Sequence, residues 1–188
     1  YVLGGRAMEI AYNENQLKTF ATKAMEVSSN NIILVDQYLD NAIEVDVDLI
    51  RDSSGEIFIA GIMEHIEEAG IHSGDSACSI PTFSLNKNTI NEIKKFTINL
   101  ANSLQTIGLM NVQYAVKDDE IYILEANPRA SRTIPFLAKA IGIPFIRIAA
   151  SLIAGNTINK ELLKIDTNVL PYYAIKEAVF PFNKFPNT

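Results

Sequence analysis

Two amides, one carboxylate and two guanidinium groups near the middle of the chain have the side-chain types of a site that binds metal ions and an anion. They are Gln113, Glu125, Asn127, Arg129 and Arg132. Magnesium prefers oxygen ligands, usually one or two carboxylates plus the phosphates of its substrate. The arginines would bind anionic groups that the metal does not cover. A hairpin that ends in a polar turn, terminated by Pro128, explains the same residues, so the pattern alone leaves both interpretations open.

The strands that must position these side chains are predicted from two apolar stretches, residues 110–116 and 120–124, which flank a turn at residues 117–119. Residues that oppose each other in a hairpin share one face of the sheet. A loop with an even number of residues would place Gln113 and Glu125 on opposite faces. A three-residue loop or a β-bulge would place them on the same face. A shared metal site therefore requires an odd loop or a bulge.

A glycine-rich stretch near the first residue is a second candidate. Gly4 and Gly5 would let backbone amides approach a phosphate closely, and Arg6 would add positive charge. The stretch is not a Walker loop, because no Gly-Lys-Ser/Thr sequence follows it. An ordinary β-turn is the simpler interpretation of these three residues.

The third candidate begins at residues 32–36, which predict a buried strand that runs into Gln37 and Leu39. The backbone edge there would suit a purine, and the acid Glu44 would suit ribose hydroxyls. An amphipathic hairpin with solvated acids explains the same pattern, because residues 44–51 alternate between apolar and acidic side chains.

Residues 64–81 predict a long ordered loop, since they contain histidines, glycines, acids and hydroxyls with little periodicity. His65 and His72 do not have the spacing of two ligands on one helix face. Cys78 lies between small residues and is predicted to be buried and inert.

The remaining periodicity predicts helices at residues 14–27, 88–105, 131–141 and 144–154, with Asn13 as an N-cap. It also predicts strands at residues 44–51, 57–63 and 173–180. Because the strands come as consecutive hairpins with helices between them, the predicted fold class is α+β with mostly antiparallel sheets.

Composition limits the function classes. The chain has 188 residues, of which 48% are hydrophobic and 20% charged, and its net charge of −6 argues against nonspecific binding to nucleic acid or anionic lipid. The single cysteine rules out an internal disulfide and indicates a reducing compartment, the cytoplasm. No apolar run approaches the ~20 residues of a membrane span. The first residue is Tyr1 rather than methionine, so we expect a piece of a longer chain.

Several stretches together resemble one family along the whole chain. They are YVLGGRAMEI, IEVDVDLI, MEHIEEAGIHSGDSACSIP, GLMNVQYAV, EANPRASRTIPF and PFNKFP. They resemble the large subunit of carbamoyl phosphate synthetase, and within it the second, C-terminal ATP-grasp unit. The resemblance implies an ATP-grasp fold. Residues 1–45 would be the remainder of the lid lobe with a connecting strand, and residues 46–188 the C-terminal lobe with a proline-bounded tail.

The resemblance also implies the ligands. ATP would bind with two ions of Mg²⁺ or Mn²⁺, and Gln113, Glu125 and Asn127 would hold the ions, with Glu125 bridging them. Leu39 would meet adenine, and Glu44 the ribose. Arg129 and Arg132 would face carbamate and the transferred phosphate. The other expected nucleotide contacts are Gly4, Gly5, Arg6, Gln37, Gly70, Ile71, His72 and Ser73. Of these, Gln37 stands at a position where the family can have histidine.

The implied reaction is phosphoryl transfer from MgATP to carbamate, which gives carbamoyl phosphate and ADP for arginine and pyrimidine precursors. The implied partners are the rest of the large subunit, including the N-terminal lobe and the first ATP-grasp unit, and a glutaminase small subunit. Neither nucleic acid nor a membrane is expected. Alone, the segment is expected to be inactive but to keep weak, metal-dependent nucleotide affinity. The alternatives are another ATP-grasp ligase, such as a biotin carboxylase or an amino-acid ligase, and a non-catalytic interaction module.

Overall fold

The computed structural model describes residues 9–27, 32–71 and 74–179. The chain forms two compact units, Tyr1–Asp40 and Asn41–Thr188. The described part of the first unit contains one helix, α1 (Glu14–Val27), and the Asn13 side chain accepts a hydrogen bond from the Gln16 amide at 2.9 Å, as a predicted N-cap should. The buried strand predicted at residues 32–36 is wrong: no strand forms there, and 85% of the Leu34 surface is exposed. The predicted lobe boundary after residue 45 stays a prediction.

In its described residues the second unit is built on one sheet of six strands, and every neighbouring pair is antiparallel. In chain order the strands are β1 (Ile43–Arg51), β2 (Ile57–Glu68), β3 (Cys78–Ile80), β4 (Gly108–Lys117), β5 (Glu120–Asn127) and β6 (Ala174–Lys176), and in space they follow the order β5-β4-β1-β2-β3-β6. The helices are α2 (Lys87–Leu104), α3 (Ile134–Ile141) and α4 (Phe145–Ile153), with a 3₁₀ turn at Leu162–Lys164. The predicted α+β class with antiparallel strands is confirmed.

Two strands extend further than the sequence predicts. β2 continues to Glu68, and β3 pairs with it through Glu64 opposite Ser79, so the long loop predicted at residues 64–81 is wrong over much of its length. β5 continues to Asn127, so Glu125 and Asn127 lie on the strand rather than beyond its end. A strand holds its side chains more rigidly than a loop, which suits residues that must present ligand atoms.

β1 lies at the centre of the sheet and is buried on both faces. Residues 44–50 are all buried. On one face Val45, Val47 and Leu49 pack in an apolar cluster that includes Ile93 of α2. The opposite face is covered by α3 and α4 at the end where Ile50 lies, and it carries acidic side chains further along. Along this second face the side chains change from apolar to acidic, and a polar site can form where they do.

Helix α3 approaches the sheet closely over Gly61 of β2. A Cβ atom on Gly61 would lie 2.6 Å from Leu137 Cδ2 and 2.8 Å from Ile80 Cδ1.

Among the described residues, no single helix is long and apolar enough to span a membrane. The pair α3 and α4 meets that measure only when taken together, across a bend of 116°.

The close approach predicts that Gly61→Ala lowers the free energy of unfolding by about 1 to 3 kcal/mol, the usual range for overpacking a core. Urea denaturation of the variant measures the loss. In a Leu137→Ala background the same change should cost clearly less, because the nearest clashing atom is gone. An equal loss in both backgrounds would contradict the contact.

Candidate functional site

The hairpin between β4 and β5 turns through two residues. Lys117 pairs with Glu120, which leaves Asp118 and Asp119 as the loop. Both have left-handed backbones, with φ of 51° and 65°, as a type I′ turn requires. The three-residue loop considered for residues 117–119 is therefore wrong, and an even loop by itself would separate Gln113 from Glu125.

A β-bulge restores the shared face. Tyr114 pairs with Ile123, whereas the next pair along is Gln113 with Glu125, so Leu124 is the extra residue in β5. A shared metal site requires either an odd loop or a bulge, and the structure has the bulge. It places Gln113 and Glu125 directly opposite each other on one face of the sheet.

Glu125, Asn127 and Arg129 form a short chain of polar contacts at the end of β5. Asn127 Nδ2 donates to Glu125 Oε1 at 2.5 Å, and Arg129 Nη2 donates to Asn127 Oδ1 at 3.1 Å. Glu125 is exposed, and Gln113 and Asn127 are half-buried. One carboxylate and two amide oxygens on one face are a donor set that fits Mg²⁺. To bind an ion, Asn127 Oδ1 would give up the hydrogen bond that it accepts from Arg129.

Both arginines of the predicted set lie in the connection between β5 and α3. Arg129 and Arg132 are exposed. Arg129 Nη1 also donates to the Ala130 carbonyl at 3.0 Å, which orients its guanidinium group. An exposed guanidinium group beside oxygen ligands can bind an anion that those ligands share with a metal ion.

A buried polar network lies beneath these groups; we use that name for Asp46, Asp48, His65, Asn111 and Thr133. Asp46 Oδ2 lies 2.9 Å from His65 Nε2, and Asn111 Nδ2 donates to Asp46 Oδ1 at 3.1 Å and to Asp48 Oδ1 at 3.2 Å. Thr133 donates to Asp48 Oδ2 at 2.6 Å. None of the five residues is more than 3% exposed. The network joins β1, β2 and β4 to the start of α3.

Burial is the main cause that raises the pKa of Asp48, to about 6. The neighbouring charge of Asp46 raises it as well, and hydrogen bonds from Thr133, Ser131 and Asn111 oppose the rise. At neutral pH the carboxyl therefore carries a charge inside the protein, where these hydrogen bonds stabilise it.

Glu44, the acid expected to meet ribose, is 4% exposed. Its Oε2 accepts a hydrogen bond from the Gly70 amide at 2.9 Å, and its Oε1 lies 3.7 Å from His65 Nδ1, which has no hydrogen-bond partner among the described residues. The interpretation of Glu44 as a solvated hairpin acid is wrong. The ligand atoms of Glu44, Asp46 and His65 come within 4.8 Å of one another, close enough to surround a cation.

The other predicted nucleotide contacts are spread along the chain. Gln37, which is exposed, and Leu39, which is half-buried, belong to the first unit. Gly70 and Ile71 are exposed in the second unit. The rest lie outside the described residues: Gly4, Gly5, Arg6, His72 and Ser73.

Cys78 is buried in β3, and burial raises the pKa of its thiol to about 11. The thiol is therefore protonated at neutral pH, as expected for an inert cysteine.

Comparison with known sequences decides the family. Residues 1–161 match the family described as carbamoyl-phosphate synthase L chain, ATP binding domain. The chain belongs to this family. The carbamoyl phosphate synthase large chain of Archaeoglobus fulgidus is 56% identical over 190 residues, and that of Synechocystis sp. is 54% identical over 187 residues. Each alignment covers 99% of this chain and 17% of the relative, so the chain spans about a sixth of the length of these large chains.

Solved structures show the same fold at much lower identity. A biotin carboxylase complex from Campylobacter jejuni has a TM-score of 0.74 at 18% identity, over 93% of this chain and 39% of that one. The biotin carboxylase domain of the Hydrogenobacter thermophilus 2-oxoglutarate carboxylase, in complex with MgADP, ADP and bicarbonate, has a TM-score of 0.74 at 17% identity, over 93% and 38%. These likenesses establish the ATP-grasp fold alone. With more than half of its residues shared with the large chains, this member of the family is not better described as a biotin carboxylase.

Sequence reasoning assigned none of the five residues of the buried polar network to the site. The sequence contained a local signal for Asn111, because this residue precedes Gln113 by two positions and therefore lies on the same face of β4. Thr133 had none, since its partner Asp48 is 85 positions away in sequence.

The Asp48 carboxyl should make this family member less stable as the pH rises from about 4 to 6. Its pKa is about 6 in the folded protein against 3.8 for an unperturbed side chain. Between these values the folded protein binds more protons than the unfolded chain, so the free energy of unfolding falls with rising pH. The full effect is on the order of 3 kcal/mol, because one pKa unit corresponds to about 1.4 kcal/mol.

Urea denaturation of the wild type and of Asp48→Asn, at several pH values across that window, measures this effect. The difference in stability between the two proteins should change through the window and become constant above it. Parallel pH profiles would show that Asp48 does not titrate in the folded protein as described.

Proposed function

We propose that the chain is the MgATP-binding part of the second, C-terminal ATP-grasp unit of a carbamoyl phosphate synthetase large chain. The complete unit phosphorylates carbamate with ATP to give carbamoyl phosphate and ADP. The observation that carries the proposal is the pairing of Gln113 with Glu125 across the bulge, with Asn127 beside them. The sequence identity to carbamoyl phosphate synthase large chains supports the choice of reaction.

In this reaction a carbamate oxygen attacks the γ-phosphorus of ATP, and the bond from that phosphorus to the leaving ADP oxygen breaks. Gln113, Glu125 and Asn127 would hold two ions of Mg²⁺ or Mn²⁺, with Glu125 between them. When bound, these ions neutralise the charge of the phosphates. Arg129 and Arg132 bind the carbamate and the phosphoryl group from the protein side. Such transfer requires positioning and charge neutralisation rather than a covalent intermediate on the enzyme.

For the nucleotide itself we assign Leu39 and Gln37 to the adenine, and Glu44 to the ribose hydroxyls. The bond from the Gly70 amide to Glu44 supports the assignment of Glu44, because it ties the start of the expected pocket to β1. The remaining proposed contacts are Gly4, Gly5 and Arg6 over the phosphates, with Gly70, Ile71, His72 and Ser73 lining the pocket.

We further propose that the segment works within a large chain, with an N-terminal lobe, a first ATP-grasp unit and a glutaminase small subunit, in the cytoplasm. The second unit is favoured by the stretch Glu64-His65-Ile66-Glu67 and by a glycine-poorer stretch at Gly4 and Gly5 than the first unit would carry. The product would feed arginine and pyrimidine synthesis. Alone, the segment would lack phosphate contacts from the other lobe, and steady-state formation of carbamoyl phosphate by these residues alone would contradict that.

Replacing Glu125 with glutamine should weaken MgATP binding by at least about 10-fold, the loss that even indirect changes to a metal site commonly cause. The reason is that the amide of the variant would carry no negative charge to attract the ions. Isothermal titration calorimetry with ATP, in magnesium and in excess chelator, measures the affinity for wild type and variant. Removal of magnesium should weaken wild-type binding and should hardly affect the variant.

Glu120→Gln is the matched control. Glu120 is an exposed glutamate at the opposite end of β5, where it accepts a hydrogen bond from the Tyr122 hydroxyl. Its loss should leave MgATP affinity unchanged. Binding that is independent of magnesium, or equal losses in the Glu120 and Glu125 variants, would refute the assignment of Glu125.

A further inference from the structure

The arginine segment, residues 129–132, carries the two arginines of the proposed function, and the hydrogen bonds of Arg129 within it are short-range. The Arg129 amide donates to the Asn127 carbonyl at 2.8 Å, and the Arg129 side chain bonds to Asn127 and Ala130. Both guanidinium groups are exposed. Contacts of this kind shape a turn, but they do not fix the position of the turn relative to the sheet. Something else must hold the arginines over the oxygen ligands of β4 and β5.

The residues on either side of Arg132 provide an anchor. Ser131 Oγ lies 2.8 Å from Thr133 Oγ1 and accepts hydrogen bonds from the amides of Thr133 and Ile134, each at 3.2 Å. Thr133 is 1% exposed. Because both neighbours of Arg132 are held in this way, the Arg132 side chain is left to project outwards.

The anchor is attached to the sheet through Asp48. Thr133 Oγ1 donates to Asp48 Oδ2 at 2.6 Å, and Asp48 is fully buried at the centre of β1. Asn111 donates to the other oxygen of Asp48 and stands opposite Asn127 in the β4–β5 pairing. The same carboxylate is therefore bonded to the arginine segment and to the strand that carries Gln113.

We propose that Asp48, acting through Thr133, is a positioning residue for phosphoryl transfer: it sets the direction of Arg132 and Arg129 relative to the metal-binding face. The proposal rests on the proposed function, since it assigns those arginines to the anion. Asp48 touches neither substrate nor metal in this arrangement; it acts through the Thr133 hydroxyl.

Packing alone does not explain a carboxylate at this place. An ionised group in a protein interior is costly unless it is hydrogen-bonded, and apolar side chains of similar volume commonly stabilise a core as well or better. A charged acceptor does offer a shorter and more directional bond than a neutral one. The 2.6 Å distance from the Thr133 hydroxyl is in that short range. Precise direction is what an arginine that must meet a reacting phosphate requires.

The test compares threonine variants in the complete large chain that carries this segment. Thr133→Val keeps the shape and removes the hydroxyl, and should lower kcat for carbamate phosphorylation by about 10- to 100-fold, the range in which small misplacements act. KM for MgATP should stay unchanged. Thr133→Ser restores a hydroxyl and should return kcat to near the wild-type value.

Thr97→Val is the matched control. Thr97 is also fully buried, and its hydroxyl lies 2.7 Å from the Tyr114 hydroxyl on the α2 side of the sheet. The same hydroxyl donates to the Ile93 carbonyl at 2.7 Å. Its removal takes away these buried hydrogen bonds of similar length without touching the arginine segment, so kcat should not change. A purely structural role for Thr133 would give the same result for both valine variants, and that outcome would overturn the proposal.

A second measurement does not depend on turnover. Arginine side-chain Nε relaxation by NMR should show lower order parameters for Arg132 in Thr133→Val, and unchanged ones in Thr97→Val. Unchanged Arg132 order in a folded Thr133→Val protein would overturn the proposal even if kcat fell. If the wild type bound MgATP but did not phosphorylate carbamate, the proposed function would fail, while the NMR comparison would still decide the positioning role.

Asp48→Asn is the variant to use if Thr133→Val does not fold. It keeps an acceptor for the Thr133 hydroxyl and removes the charge. The same two readouts apply. Both kcat and the order of Arg132 should fall below the values of the Thr97→Val control, and values equal to that control would refute the role of the charge.

Discussion

The pairing of Gln113 with Glu125 is the contact on which the candidate site depends. Successive residues of a strand point to opposite faces, and a two-residue turn at Asp118 and Asp119 by itself would direct these two side chains apart. The extra residue Leu124 shifts the register of β5 by one position and so resolves the conflict. The shared face of Gln113, Glu125 and Asn127, which we propose as the metal ligands, follows from that local irregularity.

The two faces of β1 have different surroundings. One face packs against α2 through valines and leucine, while the other carries Asp46 and Asp48 under the site. Burying both acids is costly, and the buried polar network offsets the cost by giving each of them hydrogen-bond partners from other strands and from the start of α3. Through these bonds the start of α3, next to Arg132, is connected to β1 and to β4, the strand that carries Gln113.

Local patterns in the sequence predict α1 with its cap, α2 to within one residue at each end, both hairpins and the antiparallel α+β class. They do not predict that both faces of β1 are covered. The alternation of Val45 and Asp46 indicates a strand with two kinds of side chain, and only the tertiary packing buries both of them. They also leave open whether a loop or a bulge aligns Gln113 with Glu125. The exposed stretch around Leu34 shows the opposite error, because its apolar run predicts a buried strand that does not form. The contacts of Asp48 with Asn111 and Thr133 span 63 and 85 positions, a separation at which single-sequence periodicity carries no signal.

The most direct test of this account is the location of manganese in crystals of the chain grown with ADP and Mn²⁺, read from anomalous scattering. The account predicts a peak within coordination distance of the Glu125 carboxylate, with Gln113 or Asn127 contributing an oxygen. Nucleotide bound without manganese at Glu125, or a peak only at the buried cluster of Glu44, Asp46 and His65, would contradict it.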